Sequence, residues 1–229
     1  MTFEEFKECT RKTEEILSRE DPDTWEDDNP FDDVRIRERI FYRLIPKEVR
    51  QDEIEHAPYV EFFDMAITFR WLIRQTEQGL SSARIEYSHL EQWGMSEEAL
   101  AALAVRNTPR LFPFKCTRVL SAIQEWVMLG GPDVPLYVFT NQVGINGAAA
   151  IFYDQVLDYF GEKLGEDFYI LPSSIHETLL IGISEAMDVQ AMYDMVWEAN
   201  HTVVEKNEFL SNQVFYYDRE EKKIKIVPK

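Results

Sequence analysis

The sequence predicts an α+β fold: a mainly antiparallel sheet built from hairpins with packed helices, preceded by an N-terminal helical arm. Three observations lead there. Apolar residues make up 45 % of the 229 residues, enough for a proper core at this length. Period-two and helical apolar patterns interleave along the chain, which indicates hairpins separated by single helices rather than a doubly wound sheet. The chain carries neither an internal repeat nor a low-complexity tract.

The elements follow in order. Residues 2–19 read as a helix, because Thr2 and Glu5 have capping-box spacing and Phe3, Phe6, Ile16 and Leu17 form an apolar stripe. Glu20 to Asp33 holds eight carboxylates and two prolines. It lacks the acid spacing and central glycine of a calcium loop and reads as a solvated linker. Residues 1–30 are therefore assigned to an acidic helix and linker, and 31–229 to a single α+β domain. From Val34 the apolar residues alternate with Arg35, Arg37, Arg39 and Arg43, as in a short helix turning into a strand near Ile40. This dense basic face neutralises the acidic segment or binds a phosphate or a partner.

Asp64–Arg74 and Ser82–Tyr87 are β-rich runs joined through Gln78-Gly79 as a hairpin. Ser96 caps a helix that Thr108-Pro109 ends. Cys116, Val119, Leu120, Ile123 and Val127 recur at helical spacing, which predicts a second helix with Cys116 on its buried face. Strands at Leu136–Thr140 and Ala148–Phe152 follow, joined by a loop with Asn146-Gly147. A helix over Asp154–Leu164 stops at Gly165, and Phe168–Leu171 and Thr178–Ile183 are strands around PSSIHE. A helix runs from Asp188 to about Asn200, and Thr202 with Glu205 has the spacing to open another. Val214–Tyr217 and Lys223–Val227 close the chain as a hairpin. Trp71, Trp93 and Trp126 are expected in the core.

The charge excludes several functions. Lys plus Arg number 24 against 42 Asp plus Glu, a formal charge of −18. A polyanion needs a basic surface, so direct nucleic-acid binding is not expected, nor is docking on an anionic membrane. The N-terminus is acidic rather than signal-like, and no apolar run approaches the roughly 18 residues of a membrane span. Two widely separated cysteines in such a chain predict free thiols and a cytoplasmic setting. Gly-rich phosphate loops, zinc-binding His pairs, C-x-x-C and G-x-S-x-G are all absent. No cofactor and no metal is therefore expected.

The densest polar chemistry is Pro172-Ser173-Ser174-Ile175-His176-Glu177. Ser174, His176 and Glu177 supply the hydroxyl, imidazole and carboxylate of a nucleophilic triad. Neighbours in a strand diverge, however, and serines are ordinary turn residues, so a structural turn is the plain alternative. Asn141, Asn146 and Ser173 are candidate binding residues on adjoining loops, and Arg35, Arg37 and Arg39 are candidates on the basic face.

Taken in order, the runs NTPRLFP (107–113), YVFTN (137–141), NGAA (146–149), YILPSSIHE (169–177) and VFYYDR (214–219) resemble an uncharacterised bacterial domain-of-unknown-function family. Its members are mostly small intracellular proteins of anaerobes. The resemblance extends from about Phe31 to Ile226 and is most specific at ILPSSIHE. Family members usually begin with a further strand-containing segment, whereas this chain starts on its acidic helix. The resemblance implies a shared fold and a soluble, intracellular setting, and it implies no reaction, cofactor or catalytic residue.

The leading expectation is a non-enzymatic cytoplasmic binding or protein-interaction module whose partner is a protein of basic character. The sequence leaves its oligomeric state open. A hydrolase is the alternative, and it requires Ser174, His176 and Glu177 to converge beside oxyanion donors. A second alternative is an acidic decoy for a nucleic-acid-binding protein, which requires negative charges spaced along one rigid face.

Overall fold

The computed structural model describes residues 1–19, 34–76, 79–120 and 135–229. The chain is α+β, and every strand pairing among the described residues is antiparallel. Its contacts group it into two compact units, Met1–Pro113 and Phe114–Lys229. Helix α1 (Phe3–Arg19) is built into the first unit, where it buries Phe6, Cys9 and Ile16.

The first unit begins with the expected capping box. Thr2 N–H donates to Glu5 Oε2 at 2.6 Å, and Glu5 N–H donates to Thr2 Oγ1 at 3.2 Å. A four-residue helix, α2 (Val34–Arg37), then leads into β1 (Ile40–Pro46). After α3 (Gln51–Ile54) come β2 (Tyr59–Phe62), β3 (Met65–Thr76) and β4 (Gly79–Arg84). Strand β3 carries the sheet: β1 and β2 flank its first half, and β4 pairs with its second half as the expected hairpin. Helix α4 (Tyr87–Trp93) starts where the sequence suggested strand, because Glu86 and His89 close a capping box there.

Helix α5 (Glu97–Leu111) begins at Ser96, whose hydroxyl accepts from Ala99 N–H at 3.1 Å. Its alanines at 99, 101, 102 and 104 are all buried, so neighbours approach its backbone closely. The helix continues past Thr108-Pro109, where an end was expected. Phe112 N–H donates to Thr108 O at 2.9 Å, and Phe112 packs edge-on against Phe41 at 5.0 Å. These contacts offset the donor that Pro109 lacks. Phe6 meets Tyr42 edge-on at 5.4 Å, which ties α1 to the sheet. Of the expected core tryptophans Trp93 is buried and Trp71 half-buried, while Trp126 lies outside the described residues.

Among the described residues the second unit carries a six-stranded sheet of order β10-β9-β7-β8-β6-β5. Its strands are β5 (Phe114–Leu120), β6 (Pro135–Asn141), β7 (Phe168–Ser174), β8 (Glu177–Gly182), β9 (Phe215–Asp218) and β10 (Lys223–Ile226). Helix α6 (Val156–Leu164) covers one face: Phe160 contacts Tyr137, Phe139 and Phe168 with ring centroids about 5 Å apart. Helix α7 (Val189–Thr202) covers the other, packing Met192, Met195 and Val196 on Leu136, Leu171, Leu179 and Ile181. Gly165 ends α6 in the left-handed conformation at φ 83°, as its position suggested.

Three expectations are corrected here. The stretch read as a helix from Cys116 is strand β5 up to Leu120, and Cys116 is exposed. Its register with β6, from Phe114↔Asn141 to Leu120↔Pro135, outweighs a helical spacing of apolar residues. The rest of that stretch lies outside the described residues, as does the acidic run 20–33. Gly147–Phe152 forms a 3₁₀ turn and not a strand, because five of its six residues are buried without alternation. Thr202 opens no helix: its hydroxyl donates back to Glu198 O at 2.8 Å, inside the last turn of α7.

Candidate functional site

The PSSIHE segment is mostly strand. β7 runs through Pro172, Ser173 and Ser174, and Ser174 pairs with Glu177 at the start of β8. Only Ile175 and His176 form the turn. Their backbone groups have left the ladder, and each finds another partner. Ile175 N–H donates to Glu208 O at 2.8 Å, and Ile175 O accepts from Ala148 N–H at 3.2 Å. His176 N–H donates to Ser174 Oγ at 3.0 Å, and His176 O accepts from Thr140 Oγ1 at 2.8 Å. Buried backbone groups require such partners.

The His176 side chain adds two more bonds. Its Nδ1 accepts from Asn146 N–H at 3.1 Å, and its Nε2 lies 3.3 Å from Glu208 Oε1. The turn thus joins the end of β6, the loop before the 3₁₀ turn and the segment after α7. Gly147 makes the close approach possible. A Cβ there would lie 2.2 Å from Thr140 Oγ1 and 2.4 Å from His176 O.

The adjoining loop is held by Asn141 and Asn146. Asn141 Oδ1 accepts from Val143 N–H at 3.0 Å and Gly144 N–H at 2.8 Å, while its Nδ2 donates to Ile145 O at 2.9 Å. Asn146 sits in the left-handed region at φ 55°, which its short polar side chain tolerates. Four of the residues singled out in sequence (Asn141, Asn146, Ser174 and His176) are therefore brought together. Ser174, 8 % exposed, engages the backbone rather than the imidazole. Ser173 and Glu177 are half-exposed on their strands. Glu208, Thr140 and the close contact at Gly147 were not anticipated. Asn146-Gly147 was legible as a turn, whereas Glu208 carries no local signal.

The basic face falls in the first unit. Arg39 is exposed and donates to Ile73 O at 3.2 Å, and Arg37 O accepts from Asn107 Nδ2 at 2.6 Å. The side chain of Arg35 lies outside the described residues. The stronger ionic feature there is Glu53 on α3, which meets Arg43 directly, Arg50 at 2.9 Å and Arg70 at 3.1 Å. Burial opposes the ionisation of Glu53, yet Arg43, Arg70 and Arg50 outweigh it and hold its carboxyl below the usual range. Burial, with Arg43 close by, pushes Arg70 down to about 10. A shallow groove of about 430 Å³ in the same unit is lined by Tyr87, Leu90, Met95 and Glu97, among others, and by none of the candidate residues.

Among the described residues no three His, Cys, Asp or Glu side chains gather to hold a metal ion. Nor, among them, is any helix long and apolar enough to cross a membrane. On α7 the indole of Trp197 is 58 % exposed.

Compared with known proteins, the chain matches a family described as a family of unknown function (DUF5688) over residues 1–219. No curated protein and no solved structure matches it. The match starts at residue 1 and so takes in α1, which the resemblance at Phe31 onward left out. The chain belongs to this family of unknown function.

Proposed function

We propose that this member of the family is a non-enzymatic, cytoplasmic binding module that works by contact with another protein. One observation carries the reading: the polar groups of the PSSIHE turn are engaged in joining chain segments. Ser174 Oγ holds the His176 amide, and His176 Nδ1 holds the Asn146 amide. A nucleophilic pair needs the hydroxyl on the imidazole instead. The formal charge of −18 supports a basic partner.

Hydrolysis of a set of activated esters, measured beside thermal unfolding for Ser174→Ala and His176→Ala, tests this. The reading expects a lower melting temperature in both variants and no turnover that depends on either residue. Turnover abolished by both substitutions in folded protein would establish the hydrolase instead.

A further inference from the structure

We infer that the exposed C-terminal half of α7, centred on Trp197, docks a basic peptide segment of a partner protein. This rests on the binding-module reading and adds the place and the chemistry of the contact.

Trp197 is 58 % exposed, and Val203, just past the helix end, is 64 % exposed. Tryptophan is a residue that soluble proteins usually cover, and it is enriched among the residues that dominate protein interfaces. The indole also has a partner within its own helix. Its ring stacks on His201 at 4.1 Å with planes 23° apart, and His201 Nδ1 lies 2.7 Å from Trp197 O. A ring that already has a stacking partner has fewer rotamers to give up when a ligand arrives.

The surroundings state the charge of the occupant. Residues 189–208 contain Asp194, Glu198, Glu205 and Glu208 against Lys206, and Lys229 lies 4.7 Å from the Tyr193 ring, one turn before Trp197; the carboxylates still outnumber the cations. Asp194 lies one helical turn before Trp197 and is bonded to Gln190 at 2.8 Å, a neutral partner. Glu198 and Glu205 are exposed, and among the described residues neither side chain has a cationic partner. Glu208 turns inward to His176. The carbonyl end of α7 adds negative potential at the same place. Arginine or lysine suits this setting twice over, against the carboxylates and against the face of an indole.

The base beneath the patch is tied to the rest of its unit by hydrogen bonds. Asn200 Nδ2 donates to Ser211 O and Asn212 Oδ1, each at 2.9 Å, and Ile175 N–H holds Glu208 O. The PSSIHE turn thus buttresses the segment that follows α7.

The test titrates a short peptide of alternating arginine and leucine into the ¹⁵N-labelled full chain, with a glutamate-for-arginine peptide as control. Binding is expected to shift the Trp197 indole N–H, to weaken as salt rises, and to be absent for the acidic peptide. Trp197→Ala is expected to weaken it by roughly tenfold or more. The double variant Glu198→Gln, Glu205→Gln is expected to weaken it by about threefold. Because these side chains are exposed, the melting temperature of each variant stays that of the wild type, which verifies folding. An unmoved Trp197 signal, undiminished binding by Trp197→Ala, or self-association lost in that variant would overturn the inference. Binding that persists in Trp197→Ala overturns the site alone and leaves the binding-module reading standing. Ester turnover that depends on Ser174 overturns the reading itself.

Discussion

The backbone N–H of Asn146 donates to Nδ1 of His176 at 3.1 Å, and that bond fixes the ring's role. An Nδ1 that accepts leaves the ring proton on Nε2, which faces Glu208. The imidazole therefore works as a side-chain bridge between three chain segments. His176→Ala is expected to orphan the Asn146 amide and cost about 1–3 kcal/mol of stability. Urea unfolding of the variant measures this directly.

Gly147 is expected to tolerate no side chain. Its would-be Cβ meets Thr140 Oγ1 at 2.2 Å and the His176 carbonyl at 2.4 Å, and backbone cannot step aside as a flexible tip can. Gly147→Ala should lose about 1–3 kcal/mol, toward the upper end. Gly161 is the control. The three atoms nearest its would-be Cβ, at 2.9–3.3 Å, all belong to the Arg219 side chain and none to backbone, and the residue lies in α6, where alanine is the better helix former. Gly161→Ala should stay within about 1 kcal/mol of the wild type.

Glu53 is expected to make the protein sensitive to acid. Its folded carboxyl is held below the ordinary value by Arg43, Arg70 and Arg50. The contribution is therefore complete above the unfolded carboxylate pKa and is lost as pH falls through the depressed folded value. Glu53→Gln leaves Arg43 and Arg70, both largely buried, without their carboxylate. The expected cost near neutral pH is about 3–5 kcal/mol. The gap between wild type and variant should narrow below about pH 4, as read from unfolding at a series of pH values.

The two thiols should react in sequence. Cys116 is exposed on β5. Cys9 is buried, and burial with Glu98 nearby pushes its thiol up to about 11. A disulfide reagent at neutral pH should modify Cys116 in the native protein and reach Cys9 only on unfolding. Mass spectrometry of the modified protein distinguishes the order.

Much of the fold was legible because local chemistry and tertiary packing agree. Thr2 with Glu5, Ser96, Asp188 and Gly165 mark helix ends by side-chain or backbone geometry that neighbours alone determine. The β3–β4 hairpin and the β9–β10 hairpin declare themselves by alternation around short turns. The misreadings arise where a distant partner decides. Cys116 and Val119 fit a helix by spacing, but pairing with Phe139 and Leu136 on β6 makes them strand. Ala148 and its neighbours look like a strand until the amide of Ala148 is seen bonded to Ile175 O. At the candidate site, Ser174 and His176 were visible as chemistry. What they do depends on Asn146 and on Glu208, 30 and 32 residues away from His176. No local pattern encodes that.

The protonation of the His176 ring in the folded protein tests the central claim most directly. Long-range ¹H–¹⁵N spectra of selectively labelled histidine report which ring nitrogen carries the proton. A bridging role requires Nε2–H, an unprotonated Nδ1, and a coupling across the bond from the Asn146 amide. A proton on Nδ1, with Nε2 free to take one from a serine hydroxyl, would contradict the claim and restore His176 as a general base.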